Sequence, residues 1–191
     1  ALPTNRWKNL HPFVLPYDET RTLRHKEGFY ISANDVLTPL QCYIVAQAPT
    51  ERTRLDFWET ILETNTTYII ALAMPQGEPK QFSPYWQRTF FPLHIHGWEI
   101  RWIEKSIIAT SNINCNQRIV KRIFHAQKDS TIRTITHIHY ENWQDMNIPA
   151  SDLFQNLLAL VGSQTCSPIL VHCSAGIGRA GAQEATTVSA F

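Results

Sequence analysis

Cysteine is scarce in this chain, with four residues, at 42, 115, 166 and 173, among 191. Their irregular spacing fits neither a disulfide framework nor a zinc site, so a reducing compartment is expected and no metal. Charge of one sign is equally lacking: 17 Lys plus Arg face 16 Asp plus Glu, with no basic block. Nothing therefore points to nucleic acid or to an anionic membrane as a partner. No apolar run approaches the roughly 20 residues that cross a bilayer, and the first residues lack the charged-then-apolar order of a secretory leader. The expectation is a soluble, cytoplasmic chain. Repeats, low-complexity tracts and obvious linkers are missing too. What is present is a 43% hydrophobic content with six Trp and nine Phe, enough for one core and hence one domain over residues 1–191.

One stretch stands out against that background. Ile169 to Cys173 reads as an apolar strand, Ser174-Ala175-Gly176-Ile177-Gly178-Arg179 as a glycine-punctuated loop, and a helix follows from Ala180-Gly181. Glycines at 176 and 178 let backbone N–H groups curl inward, and the helix adds its positive end to the same concavity, which makes a phosphate cradle. Cys173 at its base would hold a thiolate against those amides, and Arg179 could grip two phosphate oxygens with its planar fork. The plainer reading is a buried cysteine beside a strand-to-helix turn. The spacing and flanks of Cys173, which the other three cysteines do not share, favour the cradle.

This segment resembles the signature loop of the protein tyrosine phosphatases, His-Cys-x-x-Gly-x-x-Arg followed by Ser or Thr and then Gly. Ala180 stands at the Ser/Thr position. Asn5-Arg6-Trp7-Lys8-Asn9, with Asp18-x-x-Arg21 after it, is similar to the family's phosphotyrosine-recognition loop. The resemblance implies that Trp7 walls a slot for the substrate ring and that Asn9, in place of Asp, accepts from a substrate backbone N–H. Trp143-Gln144-Asp145 resembles the family's Trp-Pro-Asp loop, with Gln144 where Pro is expected. Asp145 is then the candidate general acid, Cys173 the nucleophile and Arg179 the phosphate clamp. Residues 174–179 line the cradle, and His172, Trp143, Gln144 and Ala180 support it.

The resemblance implies an α/β (α+β) fold, a central mixed, highly twisted sheet flanked by helices. Local pattern places strands at Phe29–Asn34, Gln41–Pro49, Tyr68–Met74, Phe90–Ile95, Trp98–Ile103, Arg118–Phe124 and Thr131–Tyr140. It places amphipathic helices at Thr53–Glu63 and Ser151–Leu160. Two His-x-His pairs, His94/His96 and His137/His139, would each share a strand face; they read as sheet residues rather than metal ligands.

The function implied is hydrolysis of phosphotyrosine in proteins through a cysteinyl-phosphate, by a monomer that needs no cofactor. Ala180 and Gln144, together with a chain that looks short of the family's last helices, lead us to expect slow turnover. The alternative is an inactive module that traps phosphotyrosine. Ser174 and Ile177 add no positive charge to the loop, which favours a phosphotyrosine protein over a phosphoinositide.

Overall fold

The computed structural model describes residues 3–39, 41–74, 82, 84–86, 91–144, 146–162 and 167–189. Eight strands form one mixed sheet: β1 (Ala33–Leu37), β2 (Cys42–Gln47), β3 (Tyr68–Ala71), β4 (Leu93–Ile95), β5 (Trp98–Thr110), β6 (Arg118–Lys128), β7 (Thr131–Glu141) and β8 (Ile169–Cys173). Their order is β1-β2-β8-β3-β7-β6-β5-β4. The inner four, β2, β8, β3 and β7, run parallel, and antiparallel pairs extend the sheet on both sides. Among the described residues three α-helices flank it: α1 (Arg54–Glu63), α2 (Ser151–Gly162) and α3 (Gly178–Ser189). Among the described residues, no helix is long and apolar enough to cross a membrane.

The last strand of the chain sits at the centre of the sheet. Each of its residues is buried, and an unbroken apolar run suits a strand with parallel neighbours and covered faces. Because β8 enters between β2 and β3, its carboxyl end opens where neighbouring connections diverge, the place where open α/β sheets leave a crevice. Phe57 and Trp58 of α1 pack over this region, with Phe57 edge-on to His172 at 5.6 Å and Trp58 against Phe124 at 5.2 Å.

Several strand bounds differ from those expected. The first strand begins at Ala33 rather than Phe29, because Gly28 at φ +70° closes a run of turns and Tyr30 and Ile31 then enter the core without a ladder partner. The strand expected to reach Met74 ends at Ala71, since β8 turns away after Cys173; Leu72 N–H makes one further bond, to His172 O, at 2.9 Å. β5 and β6 run well past Ile103 and Phe124. Register shifts at Trp102/Glu104 and Ile107/Ala109 interrupt the alternation that would have revealed that length. His94 lies in β4, but His96 at φ +48° and Gly97 at φ +83° form the turn into β5. The first His-x-His pair therefore shares no strand face, and His96 meets Glu59 at 3.2 Å instead.

Candidate active site

Strand β8 delivers Cys173 to the carboxyl edge of the sheet, 3% exposed. The chain can turn there only because residue 176 is glycine. Its φ is +76°, and a Cβ would lie 2.7 Å from the carbonyl carbon and oxygen of Ala46. That turn points Gly176 N–H at Cys173 Sγ, 3.3 Å away. Ala48 N–H reaches both Cys173 O and Ser174 O at 3.1 Å, tying the loop to the end of β2. An inward amide and the start of α3 thus lie beside the one sulfur.

Arg179 lies in the first turn of α3 and is 5% exposed. Its Nη1 donates to Trp143 O at 2.8 Å, so the guanidinium joins the Cys173 loop to the segment after β7. Ala180 is fully buried and offers only a methyl group. Ser174 is buried, Ala175 and Gly176 are half-buried, and Ile177 and Gly178 are exposed at the loop's crest.

His172 points to the opposite face of β8 from Cys173. Its Nδ1 is 3.3 Å from Cys173 O and its Nε2 is 2.8 Å from Tyr85 Oη, which in turn lies 3.0 Å from His137 Nε2. Burial pushes the His172 pKa down to about 4; the Arg179 charge adds to this and the bond to the Cys173 carbonyl opposes it. His137 and His139 are lowered well below the ordinary value, by burial first and then by Arg122. Unfolded imidazoles take up a proton near pH 6.5, whereas folded His172 does so only near pH 4. The unfolded state therefore binds more protons between those values, and each such histidine removes about 1.4 kcal/mol of stability per pH unit as pH falls through the window. Urea midpoints measured at pH 7, 6 and 5 should drop progressively, and equal midpoints would contradict the buried neutral imidazoles.

The segment after β7 closes on itself. Trp143 is buried against Tyr140 and Phe154 at 5.5 and 5.6 Å, and its Nε1–H donates to Asn147 O at 2.8 Å. Gln144 is exposed, and its Oε1 accepts from Asn147 Nδ2 at 2.9 Å. Asp145 lies outside the described residues. A cleft of about 990 Å³ runs between this segment, Asn114, Asn116, Gln117 and Met74, and reaches Arg179. Ala175, Gly176 and Ile177 line a separate groove of about 680 Å³ with residues 13–17.

Trp7 is 52% exposed, in a short 3-10 turn held by Lys8, whose Nζ pairs with Asp56 at 2.8 Å and whose carbonyl accepts from Gln47 Nε2. Asn9 changes the expectation made for it. It is 8% exposed, and its Oδ1 accepts from Tyr30 Oη at 2.8 Å, so the amide anchors the loop inward rather than facing a substrate. The sequence reading missed three residues here. His11 Nε2 lies 3.1 Å from Ser174 Oγ across 163 residues of sequence, and no local pattern announces it. Arg122 and Glu141 form a buried pair at 3.2 Å; only the register that sets Arg122 opposite His137 could have located it.

The protein-tyrosine phosphatase family model matches residues 5–189. The rat tyrosine-protein phosphatase non-receptor type 20 is 33% identical over 190 residues, covering 93% of this chain and 42% of that protein. The mouse non-receptor type 13 enzyme is 30% identical over 186 residues, covering 93% of this chain and 7% of its own length. The chain thus spans less than half the length of these curated relatives. Among solved structures, PTPN18 in complex with HER2-pY1196 phosphopeptides superposes with a TM-score of 0.84 at 26% identity, over all of this chain and 68% of that one. With a family match across nearly its whole length and the same eight-stranded architecture, the chain belongs to the protein-tyrosine phosphatase family.

Proposed function

We propose that this chain hydrolyses phosphotyrosine in proteins, with Cys173 as nucleophile. The observation that carries the reading is Gly176 N–H aimed at Cys173 Sγ at 3.3 Å, at the mouth of α3 and beside Arg179. In the first step the Cys173 thiolate attacks phosphorus in line. The bond from phosphorus to the phenolic oxygen breaks, Asp145 gives that oxygen its proton, and the loop amides of residues 174–179 with Arg179 hold the phosphoryl oxygens. Protonating a phenolate whose conjugate acid has a pKa near 10 is worth roughly 10²–10⁴-fold. In the second step Asp145 takes a proton from water as its oxygen attacks phosphorus. The S–P bond breaks, and inorganic phosphate leaves with the thiolate restored.

Trp7, exposed at the edge of the loop region, is suited to stack on a phenyl ring. The uncharged Ser174 and Ile177 suit a protein monoester better than a polyphosphorylated lipid, and the phosphopeptide bound by PTPN18 is of the same class. Ala180 points to slow turnover, because no hydroxyl there can donate to the departing thiolate. A second reading, a trap that binds phosphotyrosine without releasing phosphate, is favoured by that same methyl group together with Gln144 in the acid loop.

A pre-steady-state time course on an aryl phosphate separates the two. A burst near one equivalent followed by slow turnover supports the phosphatase, whereas peptide binding with neither burst nor turnover supports the trap. Ala180→Ser should leave the burst intact and raise the steady-state rate about tenfold, the worth of one hydrogen bond to a charged sulfur. An unchanged steady state would place the slow step elsewhere.

A further inference from the structure

The polar chain that ends on Cys173 does not begin at His172. Arg122 of β6 lies opposite His137 of β7 and is 3% exposed. A guanidinium has no acceptor, so it donates in every hydrogen bond it makes. Its Nη1 meets His137 Nδ1 and His139 Nδ1, each at 3.4 Å, and its Nη2 donates to Glu141 Oε1 at 3.2 Å. Both imidazoles are buried and neutral, and a neutral ring that accepts at Nδ1 carries its proton at Nε2. His139 Nε2 accordingly donates to Ala73 O at 2.9 Å, a group that can only accept. His137 Nε2 donates to Tyr85 Oη at 3.0 Å, and Tyr85 spends its own proton on His172 Nε2 at 2.8 Å. That leaves the His172 proton on Nδ1, facing Cys173 O at 3.3 Å. Read from the other end, that carbonyl demands the same order. A donor-only cation and an acceptor-only carbonyl thus close a chain that can run one way only.

We propose that Arg122, which touches none of the reacting groups, is a positioning residue for Cys173. With Glu141 as counter-ion it heads a one-directional hydrogen-bond chain through His137, Tyr85 and His172 to the Cys173 carbonyl. The value of such a chain lies in polarisation. An amide whose carbonyl accepts a polarised bond becomes a stronger donor at its N–H. Across the Cys173–Ser174 amide, that N–H belongs to Ser174, in the loop that holds the thiolate and the phosphoryl oxygens. The inference deepens the phosphatase reading and rests on it for the purpose of the chain, although the chain itself can be tested without turnover.

The first experiment is a ¹⁵N–¹H correlation spectrum of the histidine rings in the unmodified protein at neutral pH. His172 should show the Nδ1–H tautomer, and His137 and His139 the Nε2–H tautomer; the reverse assignment at His137 or His172 overturns the proposal. The second is the rate of Cys173 alkylation by iodoacetamide at pH 7. Arg122→Met and Tyr85→Phe should each lower it about tenfold, because the Ser174 N–H in the loop that holds the sulfur becomes a weaker donor. Arg122→Lys, which also only donates, should restore most of the rate. The double variant should be no slower than either single one, because the two changes cut the same chain. Additive losses, or folded variants with unchanged alkylation, overturn the proposal. Should Arg122→Met not fold, Tyr85→Phe decides alone: it must both slow alkylation and release the His172 tautomer. No readout requires phosphate release, so an inactive trap would leave this test intact.

Discussion

Cys173→Ser is expected to lower phosphate release from a phosphotyrosine peptide by at least about 10⁴-fold, within the range seen when a nucleophile is removed from an enzyme that works as a unit. The reason is electronic. A thiol is intrinsically far more acidic and more nucleophilic than an alcohol, which stays protonated in the same place. Serine therefore attacks poorly, and an alkoxide would leave phosphorus far less readily than a thiolate. Binding should survive the change, since Gly176 N–H, Arg179 and the start of α3 all remain. Losing the negative sulfur also removes its repulsion of the phosphate dianion, so peptide affinity should hold or tighten. Calorimetric titration with a phosphopeptide, set beside a phosphate-release assay, reads both quantities. A serine variant that keeps more than about one part in a hundred of the rate would mean that the nucleophile lies elsewhere.

Gly176→Ala should be the most damaging alanine substitution among the described glycines. An alanine held at φ +76° occupies the left-handed region, a strain of about 1–3 kcal/mol. Its Cβ would also sit 2.7 Å from the Ala46 carbonyl and 2.8 Å from Gln47 N. These are backbone atoms of β2, which cannot swing aside as a side-chain tip would. Overpacking of that kind adds about 1–3 kcal/mol. For a domain of this size the sum corresponds to a Tm lower by roughly 5–20 °C. Gly178→Ala is the control, because nothing lies within 4 Å of its added Cβ and its φ is ordinary. Its Tm should stay within about 2 °C of the parent. Equal losses at the two positions would mean that the close approach of the loop to β2 is not what demands glycine at 176.

The contrast between those two glycines also marks the limit of what could be read from the chain. Both punctuate the same loop, and local pattern treats them alike. Only the placement of β2 beside β8 puts a carbonyl against one and open space against the other. The strand, loop and helix start that carry Cys173 and Arg179 were legible because the two residues lie only six apart, joined by one strand, one loop and one helix start. The continuous apolar run of Ile169–Cys173 likewise announced a strand buried on both faces, and the amphipathic stretches announced α1 and α2.

Strand bounds were less legible wherever pairing, rather than alternation, sets them. β5 and β6 lengthen because they have each other as partners through two irregularities of register. β3 ends early because its neighbour turns away. The resemblance implied that Asn9 accepts from a substrate backbone N–H, but its Oδ1 already accepts from the hydroxyl of Tyr30, 21 residues on.

The sequence by itself determined the family and the glycine-bearing loop that follows Cys173, because covalent spacing and local backbone preference carry that information over a few residues. The company that Cys173 keeps was decided only by the tertiary structure. Arg122, Glu141, His137 and Tyr85 come from three separated stretches, and no local pattern says that they meet. They meet because β6 pairs with β7 in one register, setting Arg122 opposite His137, and because Tyr85 then reaches across to His172 in a strand 87 residues later. Hydrogen bonds act over about 3 Å of space and take no account of distance along the chain, so a network of this kind exists only once the sheet has closed around β8.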